Sequence, residues 1–244
     1  MPLKTPIDSP FFKATNRFTR PGKTVSGFFI TGTDTDVGKT YASGCIAHTL
    51  ISNGIKVIPR KPIASGCIKQ ADGSLVSGDA LFLKQACESS DPISTLCRYQ
   101  FEPPVSPQLA IEQAGLFIST DDLVKACDLP QTPPENTQYL VEGAGGFFSP
   151  LCSDGLNQDL AKALNLPVIL VVKNQLGCIN HTLLTLHAIE QAGLQTLCIV
   201  LNFADQTNHL KGIENWTDIP IINLPICKNY TPSPVIISEF LSLI

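Results

Sequence analysis

The stretch GFFITGTDTDVGKT, residues 27–40, decides the fold. A short apolar run from Phe28 to Ile30 passes into a loop from Gly32 to Gly38, and Lys39 and Thr40 open a helical pattern. Strand, glycine loop and helix in that order are the setting of a phosphate-binding loop. Glycines let the main chain curl so that successive N–H groups turn toward phosphate oxygens. The helix N-terminus adds its partial positive charge. Lys39 is placed to reach β- and γ-phosphates, and the Thr40 hydroxyl to ligate Mg²⁺. The chain is therefore expected to bind a nucleoside triphosphate.

Five residues separate Gly32 from Gly38, where the usual loop has four. Two of them, Asp34 and Asp36, are poor company for a triphosphate. They are expected to face away from it, toward a cation's water shell or a cationic second substrate.

Outward from the loop, strand and helix patterns alternate. Helices are expected over 40–52, 78–86, 106–114, 120–127, 157–165, 180–192 and 235–243. Strands are expected over 55–60, 138–141, 167–172 and 197–201, with a short one near 219–222. Residues 99–107 (YQFEPPVSP) are too proline-rich for a central strand. The unbroken run PVILVV at 167–172 reads as a strand buried on both faces, as in parallel sheets. Alternating strands and helices imply right-handed crossovers and an open, doubly wound, mostly parallel α/β sheet in one domain, 27–244. Residues 1–26 lack periodicity and are expected to form a flexible or surface-draped extension without chemistry.

Composition narrows the partners. A hydrophobic content of 43% with only 16% charged residues suits a well-buried core. The net charge of −4 and scattered basic residues argue against nucleic acid. No apolar run is long enough to cross a bilayer, and the first residues do not show a basic-then-apolar secretion pattern. The nine cysteines form no C-x-x-C pair, which predicts free thiols and a cytoplasmic protein.

In such sheets ligands bind beyond the carboxyl ends of the strands. The polar segments 32–40, 61–66, 142–146, 173–180 and 202–204 are therefore expected to gather along one edge. Lys61, in KPIASG, would neutralise charge on a transferring phosphoryl group alongside Lys39. Glu142, in YLVEGAGG, can hold Mg²⁺, and Gly143, Gly145 and Gly146 let main chain approach a ligand. Asp79 reads equally as a helix cap or a metal ligand. Gly177 to Asn180 precede a helix whose free N–H groups suit a carboxylate, or simply start it. Asn202 could read a base edge or cap a turn. His181 and His187 have no metal-ligand partners. A guanine-reading N-K-x-D is absent, which favours ATP over GTP.

With these residues in place, the chain resembles the dethiobiotin synthetases, members of the P-loop nucleoside triphosphate hydrolase-like group. GTDTDVGKT, KPIASG, SGDAL, VEGAGG, PVILVV and LGCINH, then an Asn after the next strand, follow the family's order over about 27–230. The resemblance implies a homodimer that converts 7,8-diaminononanoate, CO₂ and MgATP into dethiobiotin, ADP and phosphate. It implies a catalytic set of Lys61, Lys39 and Thr35, and Mg²⁺ ligands Thr40, Asp79 and Glu142. Asp36, Val37, Gly38, Lys39, Thr40, Tyr41, Asp79, Glu142, Gly143, Ala144 and Gly145 would line the nucleotide's phosphates. Asn202, Phe203, Pro225, Ile226 and Cys227 would hold adenine. Thr35 and Ser65 would touch the diamine or its carbamate, and Gly177, Cys178, Ile179 and Asn180 the substrate carboxylate from the neighbouring subunit. Asp36 stands where many relatives have Glu, and Gln175 where a Lys often occurs.

Rival readings are a partition-type regulatory ATPase, a cobyrinate-type amidotransferase and a pseudoenzyme. The first usually carries a lysine just after the first loop glycine, where Thr33 stands here. The second needs a glutamine-hydrolysing domain that the length does not accommodate. The third is disfavoured because both lysines and all three expected metal ligands are present.

Overall fold

In the computed structural model, the described residues are 27–130, 132, 134–203, 209–227 and 232–244. The expected extension at 1–26 lies outside them, as does Ala204 of the 202–204 segment. Six parallel strands form one sheet: β1 (Gly27–Gly32), β2 (Lys56–Arg60), β7 (Thr137–Gly146), β8 (Val168–Lys173), β9 (Thr196–Asn202) and β10 (Ile221–Leu224). Their order is β10-β9-β8-β1-β7-β2. Strand β1 thus lies inside the sheet, and the chain builds to one side of it before turning to the other. The loop after β1 sits at that reversal, where open α/β sheets bind ligands.

Alternation along the strands supplies two cores. Phe28 and Ile30 of β1 face one, Phe29 the other. In β8, Val168, Leu170 and Val172 alternate with Ile169 and Val171, all fully buried, which accounts for the unbroken apolar run. Helices α1 (Lys39–Ile51), α2 (Gly78–Ala86), α3 (Ile93–Leu96) and α9 (Pro234–Leu241) contribute to the Phe28 side. Helices α4 (Pro107–Gln113), α5 (Thr120–Cys127), α6 (Asn157–Leu164), α7 (Cys178–Gln191) and α8 (Leu210–Glu214) contribute to the Phe29 side.

Several expectations are refined. The proline-rich stretch contributes only β6 (Tyr99–Gln100), paired with β3 (Ile63–Ala64) outside the main sheet. A hairpin of β4 (Ile68–Lys69) and β5 (Leu75–Val76), helix α3 and helix α8 have no counterpart in the sequence reading, being two to five residues long. Helix α7 begins at Cys178 rather than 180, because Gly177 at φ 95° turns the chain into it. The last strand lies at 221–224 instead of 219–222. Strand β7 continues through Gly146, past the expected end at 141, with an irregular register against β1.

Candidate active site

Gly38 turns the loop into α1 with φ 85° and offers no side chain to the helix's first N–H groups. Those groups are left for an anion. A Cβ at residue 38 would lie 2.1 Å from Asn202 Nδ2, so only glycine fits. Lys39 folds back over the loop and donates to the Asp34 carbonyl at 3.0 Å. Burial, followed by the neighbouring Lys61 ammonium, lowers its pKa to about 8, against the pull of Glu142, Asp79 and Asp36. Asp34, Thr35 and Asp36 form the exposed tip. The Thr35 N–H donates to Asp34 Oδ1 at 2.7 Å.

Three side chains meet on Glu142, which is fully buried. Its Oε1 accepts from Lys61 Nζ at 2.7 Å and from Thr40 Oγ1 at 2.8 Å. Its Oε2 accepts from Ser43 Oγ at 2.7 Å. Lys61 Nζ also reaches Asp79 Oδ2 at 2.8 Å. Burial disfavours the Lys61 charge, but Glu142 and Asp79 outweigh it and hold its pKa above the ordinary lysine value. Burial likewise raises Asp79, yet the Lys61 ammonium prevails and keeps it below the usual carboxylate range. Asp79 lies in the first turn of α2, while Ser77 accepts the Ala80 N–H as the helix cap. The cap role that sequence allowed for Asp79 thus falls to Ser77. Ser43 is a site residue that sequence reasoning missed. Its signal was spacing: Thr40 and Ser43 stand at i and i+3 on one helix face.

A second group gathers beside Gly38. Asn202 is buried, and its Nδ2 donates to the carbonyls of Val37 at 3.1 Å and Gly38 at 3.3 Å. Its Oδ1 accepts the Phe203 N–H at 3.1 Å. In this structure the amide clamps the loop. The Tyr41 and Phe203 rings stack with centroids 5.8 Å apart. The Tyr41 hydroxyl donates to the Pro225 carbonyl at 3.0 Å and accepts the Cys227 N–H. Ile226 is exposed between them.

Other expected residues bond elsewhere among the described residues. Ser65 Oγ donates to the Val105 carbonyl at 2.6 Å. Gly177 to Asn180 open α7 after β8, at the same sheet edge, and none has a bond to Lys39, Lys61, Asp79 or Glu142 among the described residues. All nine cysteines are free.

Comparison with known proteins bears on this geometry. A family model described as an AAA domain matches residues 26–227. An ATP-dependent dethiobiotin synthetase of Ruthia magnifica is 40% identical over 200 residues, covering 81% of this chain and 90% of that protein. The chain belongs to the dethiobiotin synthetase family. A second member, from Anoxybacillus flavithermus, is 34% identical over 220 residues, covering 87% of this chain and 97% of its own length. The fold is shared more widely than the family. A plasmid partition protein of Borrelia burgdorferi bound to AMPPNP superposes with a TM-score of 0.51 at 13% identity, covering 91% of this chain and all of that one. That likeness extends to the fold alone. Among the described residues no helix is long and apolar enough to cross a membrane.

Proposed function

We propose that this protein is a dethiobiotin synthase, acting on 7,8-diaminononanoate, CO₂ and MgATP. The observation that carries the reading is the buried ammonium of Lys61, held between Glu142 and Asp79 on the carboxylate that also takes Thr40. Lys39 lies close enough to Lys61 to depress its own pKa. Two cations at the carboxyl edge of a phosphate-loop sheet suit phosphoryl transfer, which needs positioning and charge stabilisation more than covalent help. Family membership supplies the substrate.

In the proposed sequence one substrate amine attacks CO₂ and gives a carbamate, releasing a proton. A carbamate oxygen attacks the γ-phosphorus, and the bond to the ADP oxygen breaks. The second amine then attacks the carbonyl carbon of the carbamic-phosphoric anhydride, closes the ureido ring and expels phosphate. Lys39 and Lys61 stabilise the charge on the migrating group. Thr35 and Ser65 face the diamine, and the exposed Asp34 and Asp36 suit its ammonium groups.

Thr40, Asp79 and Glu142 fit Mg²⁺, because all three offer oxygen to a hard cation. A bound Mg²⁺ would screen the β- and γ-phosphate charge. The Tyr41, Asn202, Phe203 and Pro225 to Cys227 cluster would receive adenine. The N-terminus of α7, Gly177 to Asn180, would take the substrate carboxylate of a neighbouring subunit in a homodimer.

The test is ADP release with diaminononanoate and bicarbonate, each omitted in turn. Release that requires both supports the reading, and ATP turnover indifferent to the diamine refutes it.

A further inference from the structure

Strand β7 carries Glu142 and then leaves regular pairing. Ile30 of β1 pairs with Glu142 and Gly32 with Gly146, so Thr31 alone stands opposite three residues, Gly143 to Gly145. Such a bulge takes main-chain groups out of the ladder and re-aims the neighbouring side chains. Buried backbone polar groups need partners, and here two side chains supply them: Ser149 Oγ accepts the Gly146 N–H at 2.8 Å, and Asn157 serves the bulge itself. Asn157 Nδ2 donates to the Gly146 carbonyl at 2.8 Å and to the Ala144 carbonyl, and its Oδ1 accepts the Ala144 N–H at 3.2 Å. Asn157 is fully buried. A Cβ at residue 143 would stand 2.5 Å from Asn157 Oδ1, so Gly143 is what lets the carboxamide in.

Asn157 is the first residue of α6, but the helix start is served otherwise: Asp159 accepts the Leu156 N–H at 2.8 Å. The Asn157 N–H donates to the Ser149 carbonyl at 3.0 Å, which seats the helix on the turn after β7. An amide is the side chain that can present donor and acceptor together to one strand segment. An apolar residue would fill the same space and take this partner from the Ala144 N–H and carbonyl, while the Gly146 carbonyl would keep the Ser149 N–H at 3.0 Å.

We propose that Asn157 is a positioning residue of the reaction, its carboxamide setting the 143–145 bulge so that Glu142 meets Lys61 and Thr40. The proposal rests on the synthase reading and adds to it a residue outside the phosphate loop and the metal ligands. It acts through Glu142, one bulge away, and touches no substrate.

The test compares the full-length protein with Asn157→Leu, which keeps the volume and removes all three bonds, and Asn157→Asp, which keeps an acceptor and removes the donors. Each variant is confirmed folded at the assay temperature by circular dichroism. The expected result is a kcat about 10- to 100-fold lower with KM for ATP little changed. Weakened Mn²⁺ binding to the ADP-loaded protein is expected alongside it. A folded variant with the parent's kcat and Mn²⁺ affinity overturns the proposal. So does a loss of kcat that only tracks the unfolded fraction. Should the parent show no diamine-dependent turnover, the synthase reading fails by itself. The Mn²⁺ titration still judges Asn157, since it needs only nucleotide and metal.

Discussion

Lys61 Nζ and Glu142 Oε1 lie 2.7 Å apart with both side chains buried, although 81 residues separate them in the chain. Each makes the other's charge tolerable where water is excluded. Breaking such a pair by removing one partner costs about 3–5 kcal/mol, because the remaining charge is stranded. Lys61→Ala is therefore expected to unfold at clearly lower temperature. Because Lys39 and the loop amides remain, it should still bind ATP, while diamine-dependent turnover falls at least ~10²-fold. Calorimetry and the ADP-release assay check both halves, and full activity in this variant removes Lys61 from the mechanism.

Ser43 tests the other oxygen of the same carboxylate. A hydrogen bond to a charged group contributes about 1.5–3 kcal/mol. Ser43→Ala leaves Oε2 of Glu142 without its donor at 2.7 Å. Stability should drop by roughly that amount, and the Mg²⁺ concentration for half-maximal activity should rise. An unchanged urea midpoint shows the bond to be neutral.

Lys39 gives a pH prediction. Its pKa is lowered to about 8, chiefly by burial and then by Lys61. The free protein therefore carries the Lys39 charge below that pH and loses it as pH rises through it. Triphosphate favours the charged form, so ATP affinity should weaken above about pH 8. Binding near that pH should take up protons. Calorimetry in two buffers of different ionisation enthalpy measures the uptake; none at that pH contradicts the assignment. Lys39→Arg keeps its charge and should lose the uptake.

Gly38→Ala probes the clamp. The new methyl would strike Asn202 Nδ2, and φ 85° is strained for any residue with a Cβ. Strain alone costs about 1–3 kcal/mol, and ATP binding should fall with it. Adding Asn202→Ala clears the collision with the amide but neither the strain nor the Phe203 ring 3.0 Å from the new methyl, so the double variant should recover only part of the stability. Full recovery means the strain term is absent.

Tyr41→Phe removes a hydroxyl that joins the Pro225 carbonyl to the Cys227 N–H. ATP should bind more weakly while catalysis at saturation stays near the parent, because the change lies on the expected base side. Equal ATP affinity would detach this cluster from the nucleotide.

Legibility followed distance along the chain. The loop could be read because strand, glycines, Lys39 and Thr40 are covalent neighbours. Val168 to Val172 announced their burial on both faces by being apolar without alternation. The convergence of Lys61 and Glu142 on the loop could be inferred from strand ends, since parallel strands deliver their carboxyl termini to one edge. Asn202 marks where this stopped. Its place after a strand suggested either a base reader or a turn cap, and neither reading contained the carbonyls of Val37 and Gly38, 165 and 164 residues away.

Local chemistry was thus enough for the sheet, the phosphate loop and the company Lys39 keeps. Periodicity and glycine spacing act over a few residues, and a single chain displays them openly. The partners of Glu142, the bulge that Asn157 fills and the clamp on Gly38 had to wait for the folded molecule. Each joins a buried polar group to one far off in sequence, and such groups are matched only when strands and helices pack and water is driven out.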